Sequence, residues 1–444
     1  MFSYYIGNLF LRSRWFLMMA SVVVAFLLSF FFPALYEWVV AYAALAVILS
    51  IADYVLLFGG DKTVRINRDL PQRFSLGDEN IIKIKLTSTF PFAVNVSVIE
   101  ELPEQFQQRN FQRHQKLPPR QSQELFFKLS PKTRGEYEFG ETICYISSPL
   151  NLLQRRVKAR NATTVKAYPS YQQLKKYQLL ALSNTPQSGV KKTRRIGHSM
   201  EFEKIKNYVH GDDVRTINWK ATARTSNLMV NTFTDTRQQQ VYCLIDKGRI
   251  MKMPFDEMTL LDYSINSALA LSNIVLMKHD RAGLITFSNT INTVVAAEKR
   301  TGQLNFILEA LYHQQTDFME SDYEALSHFL HNRVTQRSCL LLFTNFETMA
   351  SLERQLPYLK RIASRHLLCV IFFQNTLLQQ IHTTQPNTTE GIYIKTIADR
   401  FAYEKRQIVK ELRRQGIISI LTTPKDLTIN TINKYLELKA RQLT

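Results

Sequence analysis

Between Arg14 and Asp53 the only charged residue is Glu37. This stretch constrains the fold most, because roughly 20 consecutive apolar residues in a helix match the hydrocarbon thickness of a bilayer. Trp15 to Tyr36 is uncharged and mostly large and apolar, Val39 to Ser50 continues the pattern, and Tyr54-Val55-Leu56-Leu57-Phe58 extends it beyond Asp53. The pattern predicts a two-helix transmembrane hairpin turning near Pro33–Trp38, where proline breaks the helix and Tyr36 and Trp38 suit the membrane interface. A cleaved signal peptide needs a small-residue site after one apolar run; Ala41-Tyr42-Ala43 is a weak candidate, and a second apolar run follows at once. Arg12 and Arg14 precede the first run, Lys62, Arg65, Arg68 and Arg73 follow the second, and the turn has neither Lys nor Arg. That asymmetry predicts both ends of the hairpin on the cytoplasmic side.

The remaining chain divides by hydrophobic period. From about residue 61 to 168 the pattern is short and alternating, as in Ile81–Leu86, Val94–Ile99 and Glu124–Leu129, with turn signals at Leu76-Gly77-Asp78, Leu117-Pro118-Pro119 and Arg134-Gly135-Glu136. Alternation predicts half-buried strands, and their spacing predicts a small antiparallel β-sandwich. From residue 238 to 444, continuous apolar runs such as Val241–Ile245 and Leu340–Phe343 alternate with helical stretches. Such strands are buried on both faces, which predicts an α/β doubly wound, Rossmann-like domain. Residues 169–237 lie between as a basic linker and a charged turn segment, after the hairpin (1–60) and the strand-rich part (61–168).

The formal net charge is +19, which favours phosphate-bearing partners, either nucleic acid or anionic lipid. Lys191-Lys192-Thr193-Arg194-Arg195 is the densest basic run. No stacking-aromatic series or recognition module accompanies it, so a juxtamembrane segment beside membrane lipid is the simpler account, and the composition disfavours nucleic acid. Cys144, Cys243, Cys339 and Cys369 are far apart and show no zinc spacing; they read as buried reduced thiols.

Two places carry chemistry-bearing residues. Doubly wound sheets bind ligands at the carboxyl ends of their strands, and the first core strand ends Ile245-Asp246-Lys247-Gly248-Arg249. Hard cations want several oxygen ligands; two cations and no hydroxyl follow Asp246, so a carboxylate bonded to nearby backbone is the favoured reading. The second place is Gly211-Asp212-Asp213-Val214-Arg215, followed by Trp219-Lys220. Paired carboxylates can do acid/base chemistry or bind metal. Beside an arginine in a turn they more often cap and lock a loop, with Asp213 as N-cap of a helix starting at Val214, Trp219 buried as an anchor and Arg215 paired with Glu201 or Asp212.

These residues resemble the bacterial domain of unknown function 58 family. Its hallmark is matched here by Gly197, Glu201, Phe202, Tyr208, Gly211, Asp212, Asp213, Arg215, Ile217, Trp219, Lys220, Ala223 and Arg224. The resemblance implies a von Willebrand factor A-like final domain, a location in the bacterial inner (cytoplasmic) membrane, and partnership with a MoxR-type AAA+ ATPase in chaperone-like or envelope-related work. It also implies a metal-adhesion motif. Asp246 matches that motif, but Gly248 and Ile250 stand at its two serine positions, Thr316 matches the second-loop threonine, and Asn345 replaces a third-loop aspartate. The site is therefore degenerate, and neither a metal nor another cofactor is expected.

The expectation is a membrane-anchored, non-enzymatic interaction protein. Its docking motif comprises Glu201, Tyr208, Gly211, Asp212, Asp213, Arg215, Trp219 and Lys220. Two alternatives stay open: a metal-dependent hydrolase using Asp212, Asp213 and Asp246 if they converge, and a nucleic-acid binder using residues 191–224.

Overall fold

A computed structural model of the chain describes residues 7–60, 62–108, 111–174, 177–179, 201–210, 212–234, 238–255, 258–316, 318–375 and 389–441. The chain divides into two compact units, Met1–Tyr168 and Pro169–Thr444.

In the first unit a short strand β1 (Leu9–Leu11) precedes helix α1 (Ser13–Phe31) and helix α2 (Tyr36–Phe58). Both helices are long and apolar enough to cross a membrane. Pro33 opens the 3-10 turn between them, where its missing N–H costs nothing. Trp38 and Phe30 are exposed, as lipid-facing residues would be.

Ten further strands follow: β2 (Val64–Asp69), β3 (Arg73–Ser75), β4 (Asn80–Ser88), β5 (Val94–Glu100), β6 (Gln112–Leu117), β7 (Ser122–Leu129), β8 (Gly135–Phe139), β9 (Thr142–Ser147), β10 (Leu153–Ala159) and β11 (Thr163–Tyr168). They form a five-stranded sheet, β1-β10-β9-β5-β6, and two three-stranded sheets, β2-β4-β7 and β3-β11-β8. Alternation sets the register: Ile82, Ile84 and Leu86 of β4 are buried while Ile81 is exposed. Two features depart from a purely antiparallel sandwich. The pair β3 and β11 is parallel, because β11 returns beside β3 only after the chain has crossed through all the intervening strands. And β1, within the stretch read as membrane hairpin, pairs with β10 as an edge strand.

The base of the helical hairpin is tied into this β unit. Asp53 of α2 is fully buried. It accepts the Ser148 hydroxyl and the backbone N–H groups of Leu152 at 3.0 Å and Leu153 at 2.8 Å. Arg12 donates to Asn151 and its N–H donates to the Leu152 carbonyl at 3.1 Å. Arg155 donates to the carbonyls of Leu57 at 3.0 Å and Lys62 at 2.9 Å. Leu57 and Phe58 belong to the same core as Phe74, Ile84 and Ile146.

The second unit contains a two-stranded hairpin, β12 (Glu201–Asn207) and β13 (Met229–Thr234), with the short helix α3 (Trp219–Thr225) between its strands. Strand β14 (Gln240–Asp246) follows, then the two-residue strands β15 (Pro254–Phe255) and β16 (Met258–Thr259). The rest is helix α4 (Leu260–Met277), β17 (Arg281–Phe287), β18 (Ile291–Glu298), α5 (Gln303–Tyr312), α6 (Tyr323–Arg333), β19 (Cys339–Phe343), α7 (Met349–Ala363), β20 (Leu367–Phe373), α8 (Thr389–Arg414), β21 (Ile418–Thr422) and α9 (Leu427–Ala440). The sheet order is β18-β17-β14-β19-β20-β21. Only β18 pairs antiparallel.

Both faces of this sheet are covered. On β14, Tyr242 and Leu244 pack with Leu326, Leu330, Leu359 and Ile408 of helices α6, α7 and α8. Cys243, pointing the other way, lies 3.9 Å from the Ser272 hydroxyl of α4. Helix α4 has the length and composition of a membrane span, yet its residues Leu260, Ile265, Leu269 and Ile274 are buried inside this unit. A helix apolar all round is a core helix when neighbours enclose it. The four cysteines are buried and unpaired.

Candidate functional site

The hallmark segment is a β-hairpin whose connection is held by its own polar groups. The Tyr208 N–H donates to the Leu228 carbonyl at 2.8 Å, extending the pairing of β12 and β13. Asp212 turns back on the chain: Oδ2 accepts from the Val209 N–H at 3.0 Å and Oδ1 from Lys206 Nζ at 2.7 Å. The Lys206 bond first, and then the Val209 N–H, hold the Asp212 carboxyl below its usual range. Asp213 caps the 3-10 turn Val214–Thr216, accepting from the Arg215 N–H at 3.0 Å. Asn218 caps α3, accepting from the Ala221 N–H at 3.0 Å. Its amide also reaches Asn231 of β13 at 2.9 Å.

Two expectations are corrected here. Asp212 pairs with Lys206, because both lie on the rising side of the turn, rather than with Arg215. And Trp219 is not an anchor: its residue is 70% exposed. It stands at the first position of a short exposed helix, so its indole projects outward while Val230 of β13 takes the buried place. Val209, Val214 and Leu228 are also exposed, as are Lys220, Arg215 and Arg224. Tyr208 is half-buried. Gly211 lies outside the described residues, as do the side chain of Glu201 and the basic run 191–195.

The strand tip is different in kind. Asp246 ends β14 and is buried. Its Oδ1 accepts from the Gly248 N–H at 2.8 Å and from the Ser321 hydroxyl. Its Oδ2 accepts from the Thr344 hydroxyl at 2.7 Å and the Tyr323 hydroxyl at 3.2 Å. Burial pushes its pKa up, against these hydrogen bonds, which favour the ionised form. A Cβ built on Gly248 would come within 2.1 Å of the Ser321 oxygen. A serine at 248 and the hydroxyl of Ser321 therefore compete for one space, and this chain uses Ser321.

Thr316 is half-buried and is not among the groups bonded to Asp246. Asn345 is buried, and its Oδ1 accepts from Lys405 Nζ at 2.7 Å. Arg249 faces outward toward Glu320 at 3.4 Å, both side chains exposed. Among the described residues, no three His, Cys, Asp or Glu side chains gather to hold a metal. Asp212 and Asp213 are occupied within the hairpin and Asp246 at the strand tip, so the three carboxylates do not converge.

Beside Asn345, at the carboxyl ends of β19, β20 and β21, lies a cavity of about 640 Å³. Phe255, Leu260, Phe373, Phe401 and Leu421 supply apolar walls, and Lys405, Arg406, Glu347 and Asn345 are among the polar groups. Desolvation lowers the Lys405 pKa to about 8, with the Glu347 carboxylate acting against it. The sequence carried a signal for this residue. Phe401, Lys405, Ile408 and Leu412 share one stripe of α8 at helical spacing, which places a lysine among core-facing positions. Ser321, Tyr323 and Thr344 carried none, since hydroxyls converge on Asp246 only through the fold.

Residues 204–408 match the family model described as Protein of unknown function DUF58. That likeness takes in under half of the chain. The match begins inside β12, so it takes in the hallmark from Lys204 onward, the Asp246 strand tip and Lys405, and leaves out Gly197, Glu201 and Phe202. Over 267 residues the chain is 26% identical to the uncharacterized protein YeaD of Bacillus subtilis (strain 168), covering 56% of this chain and 64% of that relative. The chain thus spans less than two thirds of that relative's length. Among solved structures, the SpRpn10 VWA domain aligns with 43% of this chain and 93% of its own, at 12% identity and a TM-score of 0.27. The CARDB domain of the PF1109 protein from Pyrococcus furiosus aligns with 24% of this chain and 88% of its own, at 10% identity and a TM-score of 0.18. The fold of residues 238–444 rests on its strand order, not on likenesses at these scores.

Proposed function

We propose that this protein is a membrane-anchored, non-enzymatic adaptor that docks a cytoplasmic partner through the hallmark hairpin. The observation that carries the reading is the exposure of Trp219 on a turn fixed by Asp212, Asp213 and Asn218. An exposed tryptophan contributes nothing to a core, Val214 and Leu228 of the same connection are exposed as well, and large aromatic anchors beside cations are the usual hot spots of interfaces. A turn whose carboxylates are spent on its own backbone is preorganised, so binding costs little ordering. The family resemblance points to a MoxR-type AAA+ ATPase as the partner, in chaperone-like or envelope-related assembly. The von Willebrand factor A-like reading of the α/β unit is supported by its central β14 and by helices on both faces of the sheet.

The hairpin of α1 and α2 would hold the protein in the bacterial inner membrane, with both soluble units in the cytoplasm, supported by Arg12 and Arg14 on one side and Lys62, Arg65 and Arg68 on the other. A reporter fused after Thr444 tests the orientation: it is expected to be active only in its cytoplasmic form, and activity of a periplasm-specific reporter would overturn it. The docking reading is tested by co-purification of the detergent-solubilised full chain. An AAA+ ATPase is expected with the natural protein, and Lys220→Glu should reduce its recovery several-fold without altering the melting curve. Equal recovery with both would contradict docking at this hairpin.

A further inference from the structure

The cavity at the carboxyl ends of β19–β21 has a composition that a packing void does not need. Empty voids left in cores are apolar, and this one carries a lysine on its wall. Among the described residues, Lys405 Nζ donates to the neutral Asn345 Oδ1 at 2.7 Å and stands 5.6 Å from the Phe372 ring centroid. No carboxylate among them lies within ion-pairing distance of it, Glu347 included. An ammonium has three donors, so at most one is satisfied by the carboxamide, and the others lie beside an apolar chamber. Lys405 is half-buried, and Glu347, which also lines the cavity, acts on it without pairing directly; enclosing a charge in this way is costly unless something pairs with it. The chamber has the size of a small-molecule site.

We propose that this cavity binds an amphipathic monocarboxylate, its apolar chain against Phe255, Phe373, Phe401 and Leu421 and its carboxylate against Lys405 and Asn345. A carboxylate accepts from the ammonium and from the Asn345 amide Nδ2, which donates where the carbonyl oxygen already accepts from Lys405. Charge-assisted bonds of this kind are the strong ones. The aliphatic chain replaces water over apolar surface, which contributes roughly 25 cal/mol per Å². Lys405 and Arg406 outnumber the Glu347 carboxylate on the lining, so a cationic ligand would meet a net like charge, and a neutral alcohol would bring no charge to pair with the ammonium. The inference is independent of docking at the hallmark hairpin, which uses other residues of the same unit.

The test uses the full chain in lipid nanodiscs, titrated calorimetrically with octanoate, octanol and octylamine, with empty nanodiscs subtracted. Saturable octanoate binding is expected, at least ten-fold tighter than octanol, with no binding of octylamine. Lys405→Met should weaken octanoate at least ten-fold, and Lys405→Arg should retain most of it. With the natural chain, affinity should fall as pH rises through about 8, where Lys405 loses its proton. If Lys405→Met does not fold, Ala402→Phe, which fills the cavity from α8 and leaves the lysine, should abolish binding instead. Equal affinity for octanoate and octanol, no saturable octanoate binding, or octanoate binding unchanged in a folded Lys405→Met protein would each overturn the proposal. Loss of octanoate binding together with normal recovery of an ATPase partner would leave docking standing and refute only this cavity.

Discussion

The hallmark hairpin and the tip of strand β14 carry the same kinds of residue and use them in opposite ways. At the strand tip the carboxylate turns inward: Asp246 is held by the Gly248 N–H, the Ser321 hydroxyl and the Tyr323–Thr344 hydroxyl pair, whose oxygens also lie 2.6 Å from each other, so both of its oxygens are engaged within the fold. In the hairpin the carboxylates also turn inward, onto Lys206, Val209 and Arg215, but the apolar side chains turn out. A carboxylate at a strand tip is thus no evidence of a metal site when hydroxyls from other loops saturate it. A tryptophan in a charged turn is no evidence of an anchor when the short helix beneath it offers nothing to bury it. The first arrangement stabilises a fold, and the second offers a surface.

The largest expected effect is on stability at the strand tip. Asp246→Ala leaves the Ser321 hydroxyl, the Gly248 N–H and one proton of the Tyr323–Thr344 hydroxyl pair without their acceptor inside the fold, at a cost of about 2–4 kcal/mol, which a thermal or urea melt of the full chain will read. Asp246→Asn keeps an acceptor oxygen and should cost less. Millimolar Mg²⁺ should leave the natural protein's melting curve unchanged, whereas a saturable Mg²⁺-dependent rise lost in Asp246→Asn would break the contrast between the two regions.

A smaller effect comes from Lys405. Its folded pKa, about 8, lies below the usual 10.5, so the unfolded chain binds the extra proton between those values. The penalty of the buried charge is therefore full below about pH 8 and disappears as pH rises toward 10.5, and stability should increase through that window. Lys405→Met should flatten this increase. Equal pH slopes in both proteins would show that the ammonium is solvated rather than enclosed.

Much of this division was legible in the sequence, for reasons tied to particular residues. The uncharged run around Glu37 left room only for two long helices, and the continuous apolar runs ending at Asp246, Phe343 and Phe373 read as strands covered on both faces. The cap at Asp213 followed from an aspartate ahead of a helical start. What could not be read depended on contacts between distant segments. Asp53 reads in the sequence only as a charge within the second apolar run, yet its role is to accept from the backbone of Leu152 and Leu153, about a hundred positions away. Likewise Leu9–Leu11 reads as part of the membrane hairpin, and only pairing with β10 makes it a strand. Trp219 was misjudged because burial is a property of neighbours, and α3 is too short to bring any. The place of Lys405 in the apolar stripe of α8 is visible in the sequence, whereas the cavity beside it forms only where three strand ends meet.

The most direct measurement of the central claim is the pair of readouts from Trp219→Ala in the full chain: its melting midpoint and its affinity for the co-purifying AAA+ ATPase. Because the indole is exposed, folding stability should change by no more than about 0.5 kcal/mol, while affinity should fall at least ten-fold, about 1.4 kcal/mol of binding free energy. A Trp219→Ala protein that melts several degrees lower and binds its partner as tightly as before would contradict the account, and would return the residue to the role of a structural anchor.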